Sequence, residues 1–353
     1  MKKISTPIRR EIANLLKLQK HELYYIIEKR NWSIQWDGKY ITSELNKQKL
    51  ISATLGRRRD AKIAKNKIIH FGSRNLYLPN MFDQVHPSNK VVFTWFHGTD
   101  EDTVFIKTLK KSIDYFDLLH TSCNISKENL IRWGVPEEKI VVIPLGVDLE
   151  TFHPISEAEK DARRKKLGIP KDSIVISSFQ KDGNGWEEGL EPKLIKGPDI
   201  LCNVCIELSK KYPIHILLTG PARGYVKTRL EEAGVPYTHN YLENFLDVAW
   251  YYPLADICLV SSRAEGGPKA ILEGMASGVP IVSTRVGMAP DIISDGENGF
   301  LAEIEDANNL TEHCSALIAD KNLSEWVVQN GLKTAEHFSW ATIAKEYFRK
   351  LYS

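Results

Sequence analysis

Ser261-Ser-Arg-Ala-Glu-Gly-Gly-Pro-Lys-Ala-Ile-Leu-Glu-Gly-Met-Ala-Ser-Gly278 is the stretch whose reading decides the fold. Before it stands an apolar run, Ala255-Asp-Ile-Cys-Leu-Val260, which reads as a buried strand. Gly266-Gly267 then turns the chain into a helix that opens on Pro268, a residue suited to the first helical position. Gly278-Val-Pro280 breaks the helix, and Ile281-Val-Ser-Thr284 starts the next strand. The unit is strand, glycine turn, helix, strand. Free N–H groups at such a helix start favour anions, phosphate above all. Glu265 sits in the turn and Glu273 about two helical turns further in, so they mark two depths of one ligand rather than a close pair.

At 353 residues two domains are expected, and 42% hydrophobic with 26% charged residues describes a globular chain. A net charge of +2 gives no argument for nucleic acid. The five cysteines, Cys123, Cys202, Cys205, Cys258 and Cys314, are odd in number and scattered, which suggests reduced thiols in a cytosolic setting. Cys202 and Cys205 form a C-x-x-C inside an expected helix, Asp199 to Lys211, with no second pair to complete a zinc site. They read as buried structural thiols. No run approaches the ~20 apolar residues of a membrane span, and the N-terminus lacks a signal peptide's apolar core. A cytoplasmic protein is expected.

Residues 7–30 show helical spacing of Ile12, Leu15, Leu16, Tyr24 and Ile27, with a polar side rich in Lys and Arg. Such a helix either docks on its own domain or makes peripheral contact with an anionic membrane surface. In residues 31–46, Asp37-Gly38 signals a turn. A β-hairpin is one reading; a strand ending at Trp36, a glycine loop and a helix from Lys39 is the other, and it fits the sequel better. Lys49–Leu55, Lys67–Phe71 and Val91–Phe96 are further short apolar runs separated by spacers, as in a parallel sheet with crossovers. Asp37-Gly38, Gly72-Ser73 and His97-Gly98-Thr99-Asp100 then fall along one rim at the strand ends. The basic run from Gly56 to Lys67 has no interleaved aromatics for base stacking and reads as a solvated loop. Leu118–Ser122 suggests a strand, Ser126 the N-cap of a helix to Trp133, and Lys139–Asp148 a strand broken by Pro144 and Gly146. The polar stretch from Glu150 to Arg164 is the expected domain boundary.

Ser173–Phe179 starts a second alternation of strands and helices. Residues 180–197 form a loop of unusual length carrying Lys181, Lys193 and Lys196, all candidates for a phosphate. Ile214–Gly220 is the next strand, followed by a helix around Val226 to Ala233, Tyr237–Tyr241, and a helix around Phe245 to Tyr252.

Residues 261–287 resemble the donor-site signature of the large retaining glycosyltransferase family 4. The matching pieces are Glu265-x7-Glu273, Gly274-Met-Ala-Ser-Gly-Val-Pro280 and the strand leading to Gly287. Ile143-Pro-Leu-Gly-Val-Asp-Leu-Glu-Thr-Phe152, Lys196-Gly197, Asp291–Phe300 and Phe338-Ser-Trp340 also match. The resemblance implies an α/β GT-B fold: two Rossmann-like parallel-sheet domains facing a cleft, residues 1–154 on the acceptor side and 155–340 holding a nucleotide sugar. It implies that the last helix, 341–353, crosses back to the first domain. It further implies that Glu273 bonds the ribose, that Glu265 with Gly266-Gly267 holds the donor sugar, and that Lys196 carries the diphosphate. Pro268, Lys269, Gly38, Gly220 and Tyr241 are further candidate donor contacts, and His97 matches the family's sugar-facing histidine. The family's Arg after the first strand of the second domain is missing, and Lys181 is nominated in its place. The usual first-loop glycine pair is reduced to Asp37-Gly38.

The implied reaction is retaining transfer from a nucleotide sugar (UDP-, GDP- or another) to a glycan, lipid or small-molecule acceptor, with no required metal, in polysaccharide or glycolipid assembly. Departing phosphate builds charge that fixed cations and helix-start N–H groups stabilise. A nucleotide-sugar hydrolase or epimerase of the same fold, and a binding protein whose catalysis has decayed, are the alternatives. A nicotinamide dehydrogenase lacks its Gly-x-Gly-x-x-Gly after a strand.

Overall fold

The computed structural model describes residues 22–28, 33–79 and 81–353. Their contacts separate into two units, one running up to Gly146 and taking back Trp340–Ser353, the other Val147–Ser339. Each is built on a six-stranded sheet in which every pairing is parallel. Among the described residues no helix is long and apolar enough to cross a membrane.

In the first unit the strands are β1 Leu23–Ile26, β2 Ala53–Gly56, β3 Ile68–Phe71, β4 Lys90–Thr94, β5 Leu118–Thr121 and β6 Ile140–Val142, in the spatial order β2-β1-β3-β4-β5-β6. The helix expected over residues 7–30 is therefore wrong where it reaches Leu23–Ile26, and the rest of it lies largely outside the described residues, membrane contact included. The reason is physical. A strand covered on both faces is apolar throughout and carries no alternation, so Leu23-Tyr-Tyr-Ile26, buried at every position, looks like part of a helix face. Trp36, Asp37 and Gly38 lie within a helix, Ser33–Lys47, rather than at a strand end and loop. A Cβ on Gly38 would stand 2.8 Å from the Tyr25 ring, so this glycine lets the helix settle on β1. The basic run after Gly56 contains a short helix, Arg58–Ile63. β4 ends at Thr94, short of Phe96. The helix Asn124–Arg132 is capped by Cys123, whose sulfur accepts from the Ser126 N–H, rather than by Ser126.

The core of this unit carries a buried polar network. His70 Nδ1 lies 2.6 Å from the Tyr352 hydroxyl and its Nε2 2.8 Å from Thr94 Oγ1, which is 3.0 Å from His120 Nδ1. His120 Nε2 donates to the Ile143 carbonyl at 2.9 Å and meets the Tyr347 hydroxyl at 3.1 Å. β3, β4 and β5 are thus tied to the C-terminal segment. Burial, seconded by His120, holds the His70 imidazole well below its ordinary range; burial pushes His120 down to about 4, against the Ile143 carbonyl.

In the second unit the strands are β7 Ile174–Ser178, β8 Ile214–Thr219, β9 Tyr237–Asn240, β10 Ile257–Val260, β11 Ile281–Thr284 and β12 Phe300–Ala302. Their order, β12-β11-β10-β7-β8-β9, reverses direction between β7 and β10. At such a switch point the loops after the two strands diverge and leave a crevice at their C-terminal ends. Ile176, Ile216, Leu218 and Leu259 pack with the helices Pro198–Ser209 and Ala307–Ala319 in one cluster. Cys202, Cys205 and Cys314 lie in it, and burial pushes the Cys202 and Cys314 thiols up to about 12. The expected helix around Phe245 to Tyr252 is a pair of 3-10 segments, Phe245–Trp250 and Tyr252–Leu254.

The two histidines make a pH prediction. Both are neutral in the fold, while the unfolded chain binds protons below about pH 6.5. Their contribution is therefore complete above that pH and is lost as pH falls toward 4, by roughly 3 kcal/mol for His120 alone. Urea midpoints measured from pH 7 to 4 should fall in this window, and the His70→Gln, His120→Gln chain should show a flatter profile. Equal slopes would refute the assignment.

Candidate active site

The crevice of the second unit is organised by one close approach. Gly197 takes the left-handed conformation, φ 62° and ψ 40°, and a Cβ there would lie 1.8 Å from the Ser261 carbonyl oxygen. Ser261 Oγ donates to the Gly197 carbonyl at 2.8 Å. Beside it the Ile195 carbonyl accepts from the N–H groups of Arg263 at 2.9 Å and Ala264 at 3.3 Å. The Arg263 guanidinium meets the Leu194 carbonyl at 2.6 Å, both Asp199 oxygens at 2.8 and 2.7 Å, and Glu305. The loop after β10 is thereby sewn to the end of the long loop after β7.

Lys196 and Glu265, both largely buried, form an ion pair as a result. Ser262 Oγ lies 3.0 Å from Glu265 Oε1 and 3.3 Å from Gln180 Oε1, while Gln180 Nε2 donates to the Lys196 carbonyl at 2.9 Å. Gly287, at φ 54°, brings its backbone so close to Gly266 that a Cβ would stand 2.4 Å from the Gly266 carbonyl oxygen. Pro268 caps the helix Lys269–Ala276 instead of opening it. The Lys269 ammonium stands 5.5 Å from the centre of the Phe245 ring.

Glu273 is buried at 7% exposure inside that helix and accepts from the Tyr252 hydroxyl at 2.8 Å. It is neither a cap nor a solvent-facing residue. Phe179 and Phe152 pack edge-on against Tyr252. Burial first, and then the Glu273 charge, raises the Tyr252 phenol far above its ordinary range. The two carboxylates thus have separate partners, a lysine for Glu265 and a phenol for Glu273.

The base of the long loop is held by contacts that its sequence does not announce. Arg223, 1% exposed, donates to the carbonyls of Ser178 at 2.8 Å and Gln180 at 2.7 Å. Its Nε stands 3.0 Å from Asp182 Oδ1 as an ion pair. Burial lowers the guanidinium and raises the carboxyl, so each depends on the other to stay charged. Lys181, proposed for the diphosphate, holds its ammonium 4.5 Å from the centre of the Trp186 ring. Lys193 is half-buried; burial lowers its ammonium, the charges of Lys196 and Lys181 lower it further, and Glu265 acts the other way. Three lysines therefore share one electrostatic neighbourhood with Glu265. Arg223 and Asp182 were not anticipated. The signal was Pro221-Ala-Arg223-Gly directly after a strand that ends in glycine.

Gly220, at φ 89°, ends β8 and its carbonyl accepts from His239 Nε2 at 2.7 Å. Tyr241 follows β9, is 68% exposed, and borders an open hollow of about 680 Å³ with Asn240, Trp250 and Tyr251. Gly38 and His97 belong to the first unit. Gly38 serves helix packing, as above, and not a ligand loop. His97 is exposed in the loop after β4. That loop is anchored by Arg74–Asp102 at 3.2 Å and by Trp133 Nε1 donating to Asp100 at 2.7 Å.

Two parallel α/β units, the second with a lysine–carboxylate set at its switch point, define a GT-B glycosyltransferase fold. The same fold is seen in a crystal structure of Anabaena Alr3699/HepE in complex with UDP and glucose, at a TM-score of 0.75 and 17% identity over 93% of this chain and 98% of that one. The model of the family "Glycosyl transferases group 1" matches residues 190–320, and that of "Glycosyltransferase Family 4" matches residues 13–151. The chain thus carries a family 4 and a group 1 glycosyltransferase domain. Its relatives include the D-inositol 3-phosphate glycosyltransferases of Corynebacterium kroppenstedtii, 27% identical over 66% of this chain and 52% of that protein, and of Corynebacterium jeikeium, 28% identical over 68% and 58%. The chain spans little more than half the length of these curated relatives.

Gly197→Ala tests the close approach. It combines left-handed strain of about 1–2 kcal/mol with a backbone collision, so urea unfolding should show a loss above about 2 kcal/mol. Gly168→Ala, at φ 71° with nothing within 4 Å, should cost only the strain. Equal losses at the two positions would refute the constraint.

Proposed function

We propose that this chain is a retaining glycosyltransferase that moves a sugar from a nucleoside diphosphate sugar to a glycan, lipid or small-molecule acceptor, in polysaccharide or glycolipid assembly. The observation that carries the reading is the Lys196–Glu265 pair at the switch point of the second sheet, with Lys193 and Lys181 beside it. Breaking the sugar–phosphate bond moves negative charge onto the departing diphosphate. Preorganised ammonium groups in a partly buried site stabilise that charge as it develops. Lys196 and Lys181 hold the diphosphate in this reading with Lys193 beside them, and the N–H groups at the start of the helix Lys269–Ala276 add to the field. Glu265 and the Gly266-Gly267 backbone orient the donor sugar, Glu273 receives the ribose hydroxyls, and His97 takes the role that its match to the family's sugar-facing histidine implies. The lysines supply the positive charge, so the mechanism requires no metal. The names of the relatives and the UDP held by the Anabaena structure support this reading.

Thermal-shift measurements with UDP-, GDP-, ADP-, CMP- and dTDP-sugars test it, since a ligand of the native state raises its stability. One of these donors should raise the midpoint, and Glu273→Gln should abolish that shift. Glu265→Ala and His97→Ala should lower turnover by about 100-fold with a smaller effect on donor affinity. The product should keep the donor's anomeric configuration by NMR. Nucleotide release that ignores every acceptor would favour a hydrolase instead.

A further inference from the structure

The charges of this chain nearly balance, 47 Lys and Arg against 45 Asp and Glu, but they are not evenly spread. Between Glu44 and Asp83, Lys or Arg recurs nine times, and Asp60 is the single carboxylate. The segment includes β2, the edge strand of the first sheet, and the helix Arg58–Ile63 that follows it. That helix is firmly seated. Ala61 and Ala64, at 0% and 2% exposure, lie in the core of the unit, and Ile63 packs against it. Asp60 accepts the Arg57 N–H at 2.8 Å, which turns the one local carboxylate toward the backbone. The Arg58 guanidinium donates to the carbonyls of Leu76, at 2.9 Å, and Asn75, tying the helix to the turn after β3.

What this frame presents is positive charge without a counterpart. Arg57, Arg59, Lys62 and Lys65 are exposed, and none has a carboxylate partner among the described residues. Arg59 and Lys62 stand three apart on the helix, a spacing at which like charges repel. Globular surfaces intersperse their two signs, so an unmatched run of cations on a fixed helix is the footprint of a polyanion. The surroundings decide which kind. Membrane docking combines basic with apolar side chains, and single-stranded nucleic acid stacks on aromatic ones. Among the described residues, no large apolar or aromatic side chain between Glu44 and Asp83 is exposed. A hydrophilic charged polymer fits such a surface.

We propose that Arg57, Arg59, Lys62 and Lys65 form an exosite for an anionic polysaccharide, one whose repeating unit carries a carboxylate or phosphate group. The surface gathers the polymer to the first unit and takes no part in the transfer step. The inference rests on the reading of this chain as a polysaccharide-assembling transferase with its acceptor side in the first unit.

Anisotropy titrations of labelled polygalacturonate, phosphomannan and dextran with the full chain test it. At low salt a charged polymer should bind at least about tenfold tighter than dextran, and the gap should close as salt screens it. A quadruple variant, Arg57→Gln, Arg59→Gln, Lys62→Gln and Lys65→Gln, should lose about tenfold or more, with a shallower salt dependence. It should keep its urea midpoint and its response to nucleotide sugars. Lys62→Glu alone, a single exposed change, should weaken binding about threefold and carries the test if the quadruple variant is unstable. Lys107→Gln, Lys110→Gln and Lys111→Gln together remove three exposed cations from the helix Thr103–Ser112 of the same unit and should change affinity less than about twofold. A preference for polygalacturonate identifies the anion as carboxylate, a preference for phosphomannan as phosphate, and either supports the exosite. Equal binding of dextran and the charged chains, or equal losses in the quadruple and triple variants, would overturn it. Tighter binding of phosphatidylglycerol vesicles or duplex DNA than of either charged polysaccharide would also overturn it, by making the surface a membrane or nucleic-acid contact. Polymer binding as expected with no nucleotide response in the donor panel would sink the donor reading and leave the exosite standing.

Discussion

The contact between Gly197 and the Ser261 carbonyl is the constraint on which the second unit depends. Two loops leave adjacent strands on either side of a switch point, and their separation is set by the backbone of one glycine. No L side chain fits there, because a Cβ would fall 1.8 Å from a carbonyl oxygen. From that approach follow the Arg263–Ile195 backbone bond, the meeting of Lys196 with Glu265 and the bridging of Ser262 to Gln180. The ion pair is not an isolated gain in stability, since two partly buried charges lose hydration that their attraction only partly returns. Its value lies in placement. It fixes a cation and a carboxylate within one crevice before any ligand arrives.

The lysines raise the opposite problem. Lys181, Lys193 and Lys196 repel one another, and the Lys193 ammonium is destabilised by both neighbours as well as by burial. A free loop would relax by spreading them apart. This one does not, because Arg223 and Asp182 hold its root from inside the fold, and Gly183 and Gly189 hold its span against Ala222. Stability of the frame thus maintains an unfavourable charge distribution on its surface. An anion relieves that repulsion on binding, and more so as its own charge grows, which is the condition for favouring a transition state over a ground state.

Much of the second unit was legible in the sequence, and the reason is that its key contacts are made by backbone. Lys196-Gly197, Gly266-Gly267 and Gly287 are places where chain meets chain, and glycine is the visible mark of such places. Tyr252 against Glu273 and Arg223 against Asp182 were not legible. Both are side-chain pairs joined across separate elements, and neither leaves a local pattern. The first unit was harder for a related reason. Its strand Leu23–Ile26 is buried on every side chain and lacks the period that separates strand from helix. Its Asp37-Gly38, a turn signal by composition, is overridden by the packing of Gly38 on Tyr25. Its loop after β4 is held by Asp100 with Trp133 and Asp102 with Arg74, partners 33 and 28 residues apart.

These differences also separate what each unit can vary. Where geometry is set by a backbone collision, a single substitution at the glycine removes the site, while the side chains around it are bound to one arrangement. Where geometry is set by side-chain anchors, a loop can be re-anchored by exchanging a pair, and its direction can change without loss of the sheet beneath it. The loop after β7 combines both modes, glycines pressed on the Ala222 turn and one buried ion pair at the root. Its tip, from Asn184 to Glu188, is exposed and carries the indole. Substitutions there leave Lys196, Glu265 and Glu273 untouched. A frame of this kind lets the exposed tip change while the Lys196–Glu265 pair stays in place.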